Sequence, residues 1–187
     1  MAVTSLSICN KALIKVGVEP ITSLALDTKA ARICNEVYQN LLEEVLQEHP
    51  WKFATRRVEI AELDDEPLFG YEHQYQLPTD CLQVLHDPEY DHLEYKIEGR
   101  KLLTDETTFQ IKYTTNDVEE AEIPPLFSDA LAARIGSEIA FALTQNATLK
   151  GTLMQEYLRA LSKAKSRDSQ QSTPEELVST DWTNARR

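Results

Sequence analysis

The spacing of apolar residues changes period twice along this chain, and that double change limits the folds open to it more than any single residue does. From Ser5 to Val16 the apolar positions Leu6, Cys9, Leu13 and Val16 recur at helical steps, with Gly17 placed to close the helix. Asp27 or Thr28 then offers an N-cap to a longer stripe of Ala30, Ile33, Val37, Leu41, Val45 and Leu46. Pro50 restricts the residue before it, so this second helix is expected to end at Glu48 or His49. After Trp51 the period falls to two: Val58 and Ile60, then Leu93, Tyr95 and Ile97, then Phe109, Ile111 and Tyr113 alternate with polar residues, as strands require. Glu98 and Gly99 sit where a tight hairpin turn belongs, and Leu77-Pro78-Thr79-Asp80 opens a turn ahead of Cys81–Leu85.

Ile123-Pro124-Pro125 ends the alternating region and helical spacing returns. Ser128 is the expected cap of a third helix carrying Leu131, Ile135, Ile139 and Ala142. A fourth, from Thr148 to about Ser166, carries Leu149, Leu153, Tyr157 and Leu161, with Lys163, Lys165 and Arg167 in its last turns, where cations suit the helix dipole. The pattern predicts an α+β protein: a four-helix core with an inserted, mainly antiparallel β-rich region between the second and third helices, plus an extended C-terminal tail. Antiparallel pairing follows from connections too short for parallel crossovers. The expected boundaries are a single domain over residues 1–167, with helical core 4–50 and 124–167 and β insertion 51–123, followed by a tail over 168–187.

A chain of 187 residues needs neither disulfides nor a metal to fold. Cys9, Cys34 and Cys81 are odd in number and form no CxxC pair, which fits buried thiols in a reducing compartment. The N-terminus lacks the basic start and apolar stretch of a secretion signal, so the cytoplasm is the expected place of assembly. The most apolar segment, 130–143, is interrupted by Arg134 and Glu138, and no membrane span is expected. The net charge of −12 comes from one region, since residues 59–122 hold 18 acidic against four basic side chains. Such a surface repels a phosphate backbone and disfavours a duplex-gripping protein.

The five glycines are scattered, so neither a phosphate-binding loop nor a dinucleotide fingerprint is present. Gly136 lies within a helical pattern and reads as a close contact between helices. His86, Asp87, Glu89, Asp91 and His92 gather two imidazoles and three carboxylates in seven residues, but their spacing matches no standard metal site and reads as loop chemistry. Asp64, Asp65 and Glu66, and Glu119, Glu120 and Glu122, read as solvated edges. Asn146-Ala147-Thr148 has the form of a glycosylation sequon, without meaning in an unsecreted chain. Arg56 and Arg57 follow Trp51, Lys52 and Phe53 in a composition that can contact nucleic acid, yet strand alternation sends the two arginines to opposite faces, which favours a structural role at the junction. No catalytic, cofactor or metal residue emerges.

Four ordered segments go further: Ile8-Cys9-Asn10-Lys11-Ala12-Leu13 with Val16-Gly17; Pro20-Ile21-Thr22-Ser23-Leu24; His49-Pro50-Trp51-Lys52-Phe53-Ala54; and Tyr75-Gln76-Leu77-Pro78-Thr79-Asp80-Cys81-Leu82. In order and spacing, over roughly residues 5–115, they resemble the tail tubular protein A family, the head-to-tail adaptors of short-tailed phages and related prophages. Beside the resemblance, Pro50 is placed to stop the second helix, and Trp51 and Phe53 to wedge between the bundle and the sheet as a structural junction. The resemblance implies a structural virion protein of the tail, not an enzyme. It implies a homo-oligomeric ring of twelve copies below the portal protein, joining the portal to the tail nozzle protein and continuing a channel through which DNA passes without specific binding. No cofactor and no membrane enter this reading. The tail, polar but carrying Leu177, Val178 and Trp182, is expected to order on a partner, with Thr173 capping a short helix that Pro174 starts, Trp182 as anchor, and Arg186 and Arg187 meeting acidic rim residues. Two other readings stand behind this one: a small hydrolase using the cluster from His86 to His92, and an acidic module that binds host proteins.

Overall fold

The computed structural model describes residues 3–85 and 93–171. Helix α1 (Ser5–Val16) starts on a capping box, in which the Thr4 hydroxyl accepts from the Ser7 amide and the Ser7 hydroxyl from the Thr4 amide. It ends on Gly17, whose φ of 81° lets its amide and that of Val18 turn back onto the Ile14 and Leu13 carbonyls. Helix α2 (Lys29–Gln47) is capped by Thr28, one of the two residues the sequence offers. Its fully buried stripe is Ala31, Cys34, Leu41, Leu42, Val45 and Leu46, while Ala30, Ile33 and Val37 are only half-buried. The first half of the helix is thus rotated by one residue from the expected stripe, and this rotation brings Cys34 against Cys9, both fully buried. The hydrogen bond that Cys9 donates to Cys34, together with burial, pushes the Cys9 thiol well above its ordinary range, while the same bond, against burial, holds Cys34 below its own; both side chains are buried in the helical core.

Helix α3 (Pro125–Thr144) begins one turn earlier than the Ser128 cap predicts. Pro124 is the N-cap residue and Pro125 the first helical residue, where a ring-fixed φ suits helix entry and no amide is lost. Ser128 lies inside the helix, buried, and accepts from the Lys11 ammonium at 3.1 Å. The helix is apolar almost all round, with Phe127, Leu131, Ile135 and Ile139 buried among Ala130, Ala132, Ala133, Gly136, Ser137 and Ala140. Such a helix belongs at the centre of a bundle, and α3 packs against α1, α2 and α4. Helix α4 (Ala147–Ser169) is capped by Asn146, the residue of the apparent sequon, and buries Leu153, Tyr157, Leu161, Ala164 and Asp168. The helix therefore runs past both the Ser166 limit and the 167/168 domain boundary expected from composition, because the stripe continues by helical steps through Ala164 to Asp168.

The inserted region forms two three-stranded antiparallel sheets. In the first, β1 (Thr55–Ile60) and β3 (Cys81–Leu85) flank β6 (Phe109–Thr115). In the second, β2 (His73–Gln76) and β4 (Tyr95–Glu98) flank β5 (Lys101–Thr104). The strands β2 and β5 had no clean alternation in the sequence. Their inner residues, Tyr75 and Leu102, join Ile60, Leu77, Phe109, Ile111 and Tyr113 in a second core separate from that of the helices. The hairpin joining β4 to β5 turns at Gly99, with φ of 61°. Arg56 pairs with Tyr113 and Arg57 with Lys112 across β1 and β6, so the two arginines face opposite sides, as alternation requires.

Asp80, in the turn before β3, ties that turn to β6. Burial alone would raise its carboxyl, but hydrogen bonds from the Thr115 hydroxyl (2.7 Å) and the Tyr113 phenol (3.0 Å), helped by Arg56, outweigh burial and hold it below the usual carboxylate range. The same contact contributes to pushing the Tyr113 phenol up to about 12, after burial, the larger cause. A folded-state value below the unfolded one adds stability that is present above about pH 4 and is lost as pH falls through the folded value. Asp80→Asn is expected to cost about 1–2 kcal/mol at neutral pH. Its difference from the wild type should shrink in acid, as read by urea denaturation across pH.

A Cβ added at Gly136 would meet Leu153 Cδ1 at 3.5 Å, the Ala12 carbonyl oxygen at 3.6 Å and Val16 Cγ2 at 3.8 Å. The close helix contact is there, and it has room for one methyl group. Gly136→Ala is expected to stabilise the bundle by about 0.5–1 kcal/mol through helix propensity, whereas Gly136→Val should destabilise it, both checked by thermal unfolding.

Candidate interaction surfaces

The junction predicted around Pro50, Trp51 and Phe53 joins α2 to α3 and to the end of α4. Helix α2 has ended by Pro50, and the Trp51 amide turns back onto the His49 carbonyl at 2.8 Å. The indole is buried, and its N–H donates to the Val45 carbonyl at 2.9 Å, one of the carbonyls at the end of α2. Its ring meets Phe127 of α3 edge-on, with centroids 5.0 Å apart, and Phe53 meets the Phe127 ring at 4.9 Å. Both aromatics therefore belong to the helical core, not to a wedge between bundle and sheet. The reason is the 3-10 turn at Lys52–Ala54, which keeps the chain against α3 for one more turn before β1 begins.

The end of α4 is fastened at the same place. The Asp168 carboxylate, only 7% exposed, lies 3.0 Å from His49 Nε2 and accepts from the Lys52 amide at 3.2 Å, while Lys52 Nζ donates to the Asp168 carbonyl at 2.7 Å. A histidine against a buried carboxylate has the outline of a base and its orienting partner. The side-chain contacts described for His49 are this carboxylate and the Trp51 ring, set nearly perpendicular to its own; no hydroxyl or thiol is among them. The pair is a clamp. Next to it, Trp51, Pro124, Pro125, Phe127, Ala164 and Gln171 line a largely apolar cleft of about 250 Å³. Gln171, which is part of this lining, is the last described residue.

The glutamates after β6 are more than a solvated edge. Glu120 accepts from the Ser5 amide at 2.7 Å, satisfying an open donor at the start of α1, and Glu122 pairs with Arg56 at 3.2 Å, close to where the chain enters and leaves the insertion. Asp64, Asp65 and Glu66 are exposed, as expected. Among the described residues no group of three or more His, Cys, Asp or Glu is arranged to hold a metal, and no helix is long and apolar enough to cross a membrane. The cluster from His86 to His92 lies outside the described residues, as do Leu177, Val178, Trp182, Arg186 and Arg187. In the sequence His49 figures only as an expected helix end and as part of the third segment, and Asp168 falls at the start of the expected tail. The signal for Asp168 was its place four residues beyond Ala164 on the buried stripe of α4. Leu68 and Phe69, two large apolar residues outside every expected element, are 97% and 86% exposed.

No protein-family model matches this chain, and no curated protein matches it.

Removal of the clamp or the indole has separable effects. Asp168→Ala leaves the Lys52 amide without its acceptor and is expected to cost about 1–3 kcal/mol. Trp51→Ala empties the aromatic contact and should cost about 3–5 kcal/mol. Thermal unfolding measures both. Proteolysis at the end of α4 should accelerate for the first variant before global unfolding begins.

Proposed function

We propose that this protein is a head-to-tail adaptor of a short-tailed phage or prophage, forming a ring on the portal and presenting a platform to the tail nozzle. The observation that carries the reading is the structural part played by the segments that resemble the tail tubular protein A family. Asn10, in the first segment, exchanges two hydrogen bonds with Ile21 of the second, Nδ2 to the Ile21 carbonyl at 2.9 Å and the Ile21 amide to Oδ1 at 2.8 Å. The third segment holds His49 and Trp51 at the junction, and the fourth holds Tyr75 of the sheet core and the Asp80 turn. The segments that carry the resemblance thus hold positions on which the fold relies, and this supports the reading.

On this reading the ring assembles on a preformed template, because identical subunits around a channel need contacts that close, and a portal ring brings neighbours to high effective concentration. The acidic β insertion faces the channel or a basic tail component, and passing DNA finds few cations there to displace its counterions. The segment with Leu177, Val178 and Trp182 docks on the portal or a neighbouring subunit, with Trp182 as the buried anchor and Arg186 and Arg187 adding salt-sensitive contacts.

The test is co-sedimentation of the full chain with portal protein, followed by electron microscopy. A ring of adaptor density on the portal is expected, and failure to co-sediment at every salt concentration overturns the reading. Deleting residues 172–187 should abolish attachment while leaving the thermal unfolding of the domain intact.

A further inference from the structure

The segment between β1 and β2 presents its two largest apolar side chains to solvent from a frame that is itself pinned. The Leu63 amide donates to the Gln74 carbonyl at 2.9 Å, the Gln74 side chain donates to the Asp65 carbonyl, and the Glu72 amide donates to Asp105 at 2.9 Å. Gly70, with φ of 94°, makes the turn that follows. Leu68 and Phe69 stand at the tip, almost wholly exposed, and adjacent large apolar residues held out in this way are uncommon on a monomer. The same segment is strongly acidic: no lysine or arginine occurs between Arg57 and Lys96, and Glu62, Asp64, Asp65, Glu66 and Glu72 surround the tip in sequence.

A groove of about 280 Å³ opens elsewhere on the insertion, with Val58, Val84, Tyr95, Phe109 and Ile111 as its apolar lining. Val58 is the exposed member, and Arg57 and Lys112, paired across β1 and β6, stand at its border with Glu59 and Gln110. Its size admits a phenyl ring and part of a second aliphatic side chain, and its cations match the acidic flanks of the tip. We propose that the Leu68–Phe69 tip of one copy seats in this groove of the next, so that the contact joining copies of this chain is head-to-tail. A knob and a socket on different parts of one surface make a heterologous contact, which propagates until it closes on itself. This inference rests on the adaptor reading for its setting and names the contact that reading leaves open. A lipid surface is the poorer fit, since the acidic flanks repel anionic headgroups and offer no basic residue to attract them.

The test uses the full chain in sedimentation velocity at concentrations up to about 1 mM, where weak contacts are populated. The wild type should associate progressively. Phe69→Ser alters only an exposed residue and should weaken association by about tenfold or more, with an unchanged unfolding temperature. Val58→Glu should block the socket, and Arg57→Glu, at an exposed position, replaces it if that variant fails to fold. A mixture of the knob variant and the socket variant should give pairs that do not grow, since each pair has one intact contact. A monomeric wild type throughout the range, undiminished association of Phe69→Ser, or no pairing in the mixture overturns the proposal. Binding of the wild type to phosphatidylcholine vesicles that Phe69→Ser abolishes overturns it too, by giving the tip to a membrane. A chain that binds portal but never self-associates refutes this contact alone, and one that self-associates but never binds portal refutes the adaptor reading alone.

Discussion

The indole of Trp51 is the piece on which the rest of the molecule depends. Its N–H satisfies a carbonyl at the end of α2, its ring fills the space against Phe127, and its backbone sets the 3-10 turn from which β1 departs. A buried indole without a hydrogen-bond partner would cost much of what its burial contributes. The Val45 carbonyl, at the end of α2, removes that cost. Because α3 supplies Phe127 and α4 supplies Asp168 to the adjoining residues, one short stretch fixes three helix positions and the direction of the first strand.

Charged residues repeat this pattern on the outside of the bundle. Arg134 of α3 forks onto Glu44 of α2, with both N···O distances at 3.0 Å, and also reaches Glu138. The arginine that interrupts the most apolar segment of the sequence is therefore a tie between helices. A planar guanidinium matches a carboxylate at two points and loses less freedom per bond than an ammonium would. Glu48 serves α4 in a similar way through Lys165 and Tyr157. Several charges of the helical part of a strongly acidic protein are thus matched in pairs, and the acidic excess lies in the sequence of the insertion, residues 59–122.

Periodicity was a good guide wherever one face of an element is buried and the other is wet. It placed α1, α2, α4, β1, β4 and β6, and it located the turns at Gly99 and Asp80. It did less well for α3, whose small residues let three neighbours approach and leave only a narrow wet strip, at Asp129 and Glu138, from which to read a start. It missed β2 and β5, which are short and which put buried polar residues such as Gln74 and Thr104 beside the apolar ones. The clamp was illegible for a different reason. His49 and Asp168 are 119 positions apart, and nothing in either neighbourhood announces a partner before the helices have packed. Composition was misleading at the end of α4, where a polar stretch looked like tail although its buried stripe was still running.

Chain entry and exit of the β insertion stand side by side, bridged by Arg56 and Glu122 and braced by the Asn116 amide on Glu43 of α2. The two sheets have an apolar core of their own, and few of their residues contribute to that of the helices. The insertion is consequently built like an exchangeable cassette on a narrow neck. Evolution can lengthen, shorten or replace it without repacking the bundle, so one half of the molecule can diversify while the other is inherited unchanged.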